Sequence, residues 1–204
     1  PSESKWVQQL ALMTYKSEFP DKVTALKEAA VILEELRPMT SNNAETLGLW
    51  GAIYKHLFDI SGDRDNLDMA IAAYEKGYRL LSDYYNGINW AYLLNVRASL
   101  SKVKADAITD FVLAKRTRED LLKIADAKFA ELDSIKDVDD RDDRYWVLAT
   151  KAEALVGLGN DLEAENCLKQ ANDFADDWMR SSTHEQLTKL RQLLKSSPLQ
   201  DLSA

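Results

Sequence analysis

Glycine and proline are scarce, with 7 and 4 in 204 residues. A β-sandwich or barrel of this length needs a turn every ten residues or so, with turn chemistry to match. That supply is missing, so the all-β classes are excluded. Cys167 is the sole cysteine; no internal disulfide can form, and a cytoplasmic setting is expected. His56 and His184 are the only histidines and have no cysteine or carboxylate at metal-ligand spacing. No glycine-rich phosphate loop occurs, and we expect neither metal nor cofactor. No apolar run reaches the roughly 20 residues of a membrane helix, and the N-terminus lacks a secretory pattern, so no membrane partner is expected. Basic residues are outnumbered, 26 against 34 acidic, for a net charge of -8. Such a surface repels phosphate backbones, which argues against nucleic acid. The one basic cluster, Lys115, Arg116 and Arg118, runs straight into Glu119 and Asp120 and reads as a solvated helix face. The chain starts at Pro1 without a Met, from which we expect a longer native protein carrying further domains.

What is abundant is apolar residues at helical spacing, nearly half of the chain being hydrophobic. Residues 4–17 place Trp6, Val7, Leu10, Met13 and Thr14 on one side of a first helix. Asp21 can cap a second, running to about Leu36 before Arg37-Pro38. Ser41-Asn42-Asn43 caps a third through Leu47, Trp50, Tyr54 and Phe58, and Ser61-Gly62-Asp63 is a turn. Further helices are expected from about Leu67 to Leu81 and from about Tyr85 to Ala98. The pattern from Ala105 to about Ile135 hardly stops, which allows one long helix or two meeting near Arg118. Asp137 to Asp143 reads as a charged loop, followed by helices at about 143–157 and 161–177. Ser182-x-x-Glu185 reads as a capping box opening a last helix that ends before Pro198.

A spacing recurs within these helices. Ala70-x3-Tyr74-x2-Gly77, Ala107-x3-Phe111-x2-Ala114 and Ala164-x3-Leu168-x2-Ala171 follow the second-helix signature of a tetratricopeptide repeat. Each has a matching first helix before it: Trp50-Gly51-x2-Tyr54, Ala91-x2-Leu94, and Ala152-x2-Leu155 with Gly159. Small residues belong there because helix axes must approach to about 8–10 Å. The N-terminal helix pair fits this template only loosely. The expected fold is all-α, with tetratricopeptide-like antiparallel hairpins stacked as a right-handed superhelix over residues 1–204 as a single domain.

The stretch Asp83-Tyr84-Tyr85-Asn86-Gly87-Ile88-Asn89-Trp90-Ala91, with the Ala-x3-Tyr helix before it and residues 110–116 after it, resembles a divergent branch of this fold. That branch is the TRAFs-binding type found in the central regulatory region of apoptosis signal-regulating kinases and in bacterial relatives. The resemblance covers about residues 44–175, with 182–196 as a C-terminal cap. It implies a protein-binding scaffold with a signalling role, not an enzyme.

First helices of such arrays line a concave groove. On that face we place Asn89, Tyr92, Asn95, Lys55 and His56. The Asn89 amide offers a donor and an acceptor together, and either meets an extended partner's backbone or bonds a neighbouring turn. Tyr84, Tyr85 and Trp90 read as packing. Chaperone-tail clamps need two or three cations, but the corresponding positions hold Gly48, Ala52, Trp146 and Thr150. The run Asp139-Asp140-Arg141-Asp142-Asp143 contains the D-D-x-x-D of prenyl-transferring enzymes but lacks a second acidic motif. Cys167 has no adjacent base to make it a nucleophile. The partner is expected to be a protein or peptide, with a homodimer through the long central helix and control of an omitted enzyme domain as the alternative reading.

Overall fold

The computed structural model describes residues 3–134 and 141–199. Its helices are α1 (Glu3–Ser17), α2 (Lys22–Glu34), α3 (Ala44–Ser61), α4 (Arg64–Leu81), α5 (Tyr84–Leu100), α6 (Lys104–Ser134), α7 (Arg141–Gly157), α8 (Asp161–Ala171) and α9 (Asp177–Lys195). No strand occurs among the described residues. The fold is all-α and tetratricopeptide-like, built of antiparallel hairpins. It divides into two compact units, Pro1–Asn86 and Gly87–Ala204, with the boundary in the first turn of α5.

Short polar side chains start several helices, because the first backbone N–H groups of a helix have no internal acceptor. Asp21 accepts from the Thr24 N–H at 3.0 Å and from its hydroxyl at 2.7 Å. Asn43 accepts from Thr46 N–H at 2.9 Å, and Asp63 from Asp65 N–H at 3.1 Å. Gly62 ends α3 at φ 67°, a left-handed conformation in which a side chain would be strained, and its N–H reaches the Phe58 carbonyl. The Asp21 and Asn43 caps fall where the residue pattern places them. α4 starts three residues earlier than the apolar spacing suggests, since Asp63 rather than Leu67 sets its origin.

In the first unit, Leu26, Leu33, Ile53 and Leu57 pack with Trp50 and a row of alanines, Ala11, Ala29, Ala30 and Ala73. Each large aliphatic side chain buried here contributes about 1.5–3 kcal/mol. The α1–α2 hairpin closes on alanines, and this overturns the expected α1 face. Trp6 is 64% exposed and Met13 68%, with Leu10 also outside. Ala11 and Gln8 are buried instead, because large side chains at the crossing would hold the axes apart. Gln8 tolerates burial because its amide donates to Thr46 Oγ1 at 2.8 Å and Asn43 Oδ1 at 3.0 Å.

In the second unit, α6 is one continuous helix, which settles the alternative left open by its pattern. Arg144 of α7 grips Asp133 and the Leu132 carbonyl of α6, and Lys151 reaches Asp126 at 2.5 Å. Tyr145, Leu148, Ala149, Ala171, Ala175 and Met179 form one core; Ala98, Ala107 and Phe111 form another. Two boundaries differ from expectation. α8 stops at Ala171, and α9 begins at Asp177 behind Asp176. Ser182 and Glu185 are therefore mid-helix and make no capping box: Met179, Leu187 and Leu190 on the buried side of α9 carry the helix through them.

Candidate functional site

The five residues assigned to a concave face fall in different units. Lys55 and His56 lie on α3 of the first unit and are half-buried. The His56 ring stands 6.1 Å from that of Tyr15, and its Nδ1 is 3.9 Å from Asp59 Oδ2. Asn89, Tyr92 and Asn95 lie on the part of α5 that belongs to the second unit, and all are buried. Asn95 is 0% exposed, one turn from Ala91 and Ala98 on the same stripe.

The crossing positions in the first unit are as tight as the repeat spacing requires. A Cβ on Gly51 would meet the Tyr74 ring at 2.8 Å, so α4 seats its aromatic directly on the α3 backbone. Gly77 does the same for Asn86, whose amide would lie 2.5 Å from an added Cβ. Asn86 Nδ2 donates to Asp83 Oδ1 at 2.7 Å and to the Ala44 carbonyl at 3.2 Å, and its N–H donates to the same Asp83 oxygen at 2.8 Å. The Tyr-Tyr-x-Gly-Ile-Asn stretch thus owes part of its role to Asn86, which joins the starts of α3 and α5. Sequence reading passed over Asn86; glycines at 48 and 77 were the available signal. Beside it, burial and then the Asp83 charge push the Glu45 carboxyl up, against Lys5. Burial, followed by Tyr85 and Glu45, pushes Tyr15 up to about 12.

The second unit holds what sequence reading misassigned. Lys115 and Arg116 are exposed, but Arg118 is only 1% exposed, so the basic cluster is not one solvated face. The reason is angular: Phe111, Ala114, Arg118 and Leu121 are spaced three and four apart, and all four are buried on one stripe of α6. Across from it, Gly157 of α7 makes room: a Cβ there would lie 2.2 Å from Arg118 Nε. Among the described residues no acceptor reaches Nε or Nη2. Burial lowers the guanidinium to about 10, with the Glu153 charge working the other way. Glu153 is 8% exposed and accepts from Gln186 Nε2 of α9 at 3.3 Å. Asn95 has both amide atoms buried without a hydrogen-bond partner among the described residues.

Other candidates from the sequence add no chemistry. Asp142 and Asp143 lie in the first turn of α7, where carboxylates suit the helix dipole; Asp139 and Asp140 fall outside the described residues. His184 is mid-helix on α9. Cys167 is buried, and burial pushes its thiol up, away from the reactive thiolate. Among the described residues, no group of three or more His, Cys, Asp or Glu could hold a metal ion, and no helix is long and apolar enough to cross a membrane.

With this geometry in hand, comparison with known proteins gives one family. The model of the Tetratricopeptide Repeats-Sensor (TPR-S) family matches residues 1–94, so the chain is similar to that family from α1 into the middle of α5. The match includes the N-terminal hairpin that fits the sequence template loosely. No curated protein and no solved structure matches the chain.

Proposed function

We propose that this protein is a non-catalytic scaffold that binds a protein or peptide through first-helix residues of a helical-repeat array. The observation that carries the reading is the Gly51–Tyr74 crossing, a tetratricopeptide-type contact inside the stretch similar to the TPR-S family. Such arrays present first-helix side chains to a polypeptide guest. Asn89, Tyr92 and Asn95 on α5 and Lys55 and His56 on α3 are the residues assigned to that contact. The acidic balance favours a basic or apolar partner surface, chiefly through steering. The partner class, the cytoplasmic setting and the TRAFs-binding resemblance all belong to this proposal.

The test is quantitative affinity capture from the native host. The wild-type chain is compared with Asn89→Ala/Tyr92→Ala and Lys55→Ala/His56→Ala variants, each checked for unchanged helicity. Loss of a specific captured protein in either variant supports the reading. Capture that both variants leave untouched removes it.

The term Sensor in the matched family's description favours a second reading. In it the array reports a bound signal to an enzyme or signalling domain outside this chain, or through a homodimer. Sedimentation equilibrium across a wide concentration range separates the dimer from the monomeric scaffold.

A further inference from the structure

Arg97 and Arg118 sit on consecutive helices and allow two guanidinium groups to be compared. Arg97 turns Nε and Nη2 toward Asp110, whose two carboxylate oxygens meet them at 2.8 Å each. That edge of a guanidinium offers two parallel donors matched to a carboxylate or phosphate. In Arg118 the same edge is unbonded: Nε and Nη2 are buried, and among the described residues neither has an acceptor. Buried charged donors are almost always met by an acceptor, because burial strips them of water.

Among the described residues, none supplies an acceptor to this edge. Glu153 is near enough for its charge to favour the protonated guanidinium, yet its carboxylate accepts from Gln186 on α9 instead of entering the fork. Gly157 sets no side chain against the guanidinium. A Cβ on it would lie 2.2 Å from Nε, 2.3 Å from Cδ and 2.7 Å from Cζ. An atom placed off the edge along the N–H direction would be well farther from both carbons than from Nε. The near-equal distances put α7 over the flat face.

Asn95 supplies a second buried polar group, 0% exposed and with both amide atoms unpartnered among the described residues. It belongs to the α5 stripe of Ala91, Asn95 and Ala98, and Ala98 packs on Ala107 and Phe111 of α6. Arg118 continues that α6 stripe past Ala114. Helical side chains lean toward their own N-terminus. On two antiparallel neighbours, Asn95 and Arg118 therefore lean toward one another.

We propose that Arg118 and Asn95 form a binding site for a small anion bearing a carboxylate or phosphate. The anion's oxygens fill the unbonded Arg118 edge, and the Asn95 amide donates a third hydrogen bond. In the empty protein Glu153 balances the guanidinium charge; in the occupied one the anion does so, with Glu153 held by Gln186. Arg118 is only 1% exposed, so the anion enters by a local opening. The 3.3 Å Gln186–Glu153 bond is the α7–α9 tie that yields at that point. This site rests on the second unit alone; it shares Asn95 with the scaffold reading, and Arg118, which that reading does not use, tests it separately.

The test is titration calorimetry and thermal shift on the 204-residue chain. Inorganic phosphate, pyrophosphate and succinate are the probes, each against chloride at matched ionic strength. Saturable binding of at least one probe is expected. Arg118→Lys retains the charge but loses the fork and is expected to weaken it at least about tenfold; Arg118→Met should abolish it. A response to the phosphates alone assigns the ligand group as phosphate, and one to succinate alone assigns carboxylate. Absence of a saturable response to all three probes overturns the proposal, as does a response that Arg118→Lys leaves unchanged. Arg118→Lys keeps the site testable should Arg118→Met fail to fold.

Discussion

Replacing Arg118 by methionine deletes a long charged side chain from the interior, and the structure implies that the protein becomes more stable. Two buried donors without acceptors each cost about 1–3 kcal/mol, and among the described residues Nε and Nη2 both lack one. The lowering of the guanidinium to about 10 has the same origin, since burial disfavours its charged form. Methionine fills a similar volume and adapts its shape to irregular gaps. Exchanging buried ionic groups for apolar ones commonly gains about 1–4 kcal/mol. Against this stands the lost attraction to Glu153, which keeps its bond to Gln186 and some contact with water. We expect a net gain of about 1–3 kcal/mol, or roughly 2–4 °C in Tm for each kcal/mol at this size. Urea unfolding followed by circular dichroism measures it, with a higher midpoint and an unchanged slope. A loss of more than about 1 kcal/mol would refute the reasoning, since it would mean that the Arg118 edge is satisfied in solution. The double variant with Glu153→Gln then shows whether the loss comes from stranding Glu153.

Three further outcomes follow from the geometry. Gly51→Ala drives a Cβ to 2.8 Å from the Tyr74 ring; overpacking of about 1–3 kcal/mol outweighs the roughly 1 kcal/mol of improved helix propensity, giving a lower urea midpoint that Gly51→Ala/Tyr74→Leu restores in part. Asn43→Ala removes the α3 cap and one acceptor of the buried Gln8 amide, and a loss of about 1–2 kcal/mol in thermal unfolding is expected. Tyr15 has a folded value near 12 against 10.0 for the free phenol, so its contribution is intact below about pH 10 and is lost as pH rises toward 12. Tyr15→Phe should therefore lessen the drop in urea midpoint between neutral and strongly alkaline buffer, and an identical drop in both proteins would contradict the assignment.

Much of the fold was legible from local signals. Asp21, Asn43 and Asp63 cap helices because their side chains reach N–H groups two or three residues on, a relation contained in the chain order. The Ala70–Tyr74–Gly77 and Trp50–Gly51–Tyr54 spacings predicted a crossing, and Gly51 seats Tyr74 there. The site was less legible. Asn86 stood in the Asp83–Ala91 stretch with no role of its own, and its value comes from Gly77 and Ala44, which only folding brings to it. Ser182-x-x-Glu185 fitted a capping template, but burial of Met179, Leu187 and Leu190 carries α9 straight through.

The residue order alone determined where α2 and α3 begin and where α3 ends, because capping and turn geometry act over three or four positions; it did not determine where α8 ends or α9 begins. It could not determine which side of α1 is covered: Trp6, Leu10 and Met13 have the hydrophobicity of a core face, yet alanine contacts win since they let α2 approach. Nor could it settle Arg118. Its charge argued for water and its place on the Phe111–Ala114–Leu121 stripe argued for burial. The packing of α7 decided the matter, through a glycine nearly forty residues away whose missing side chain leaves space for a guanidinium.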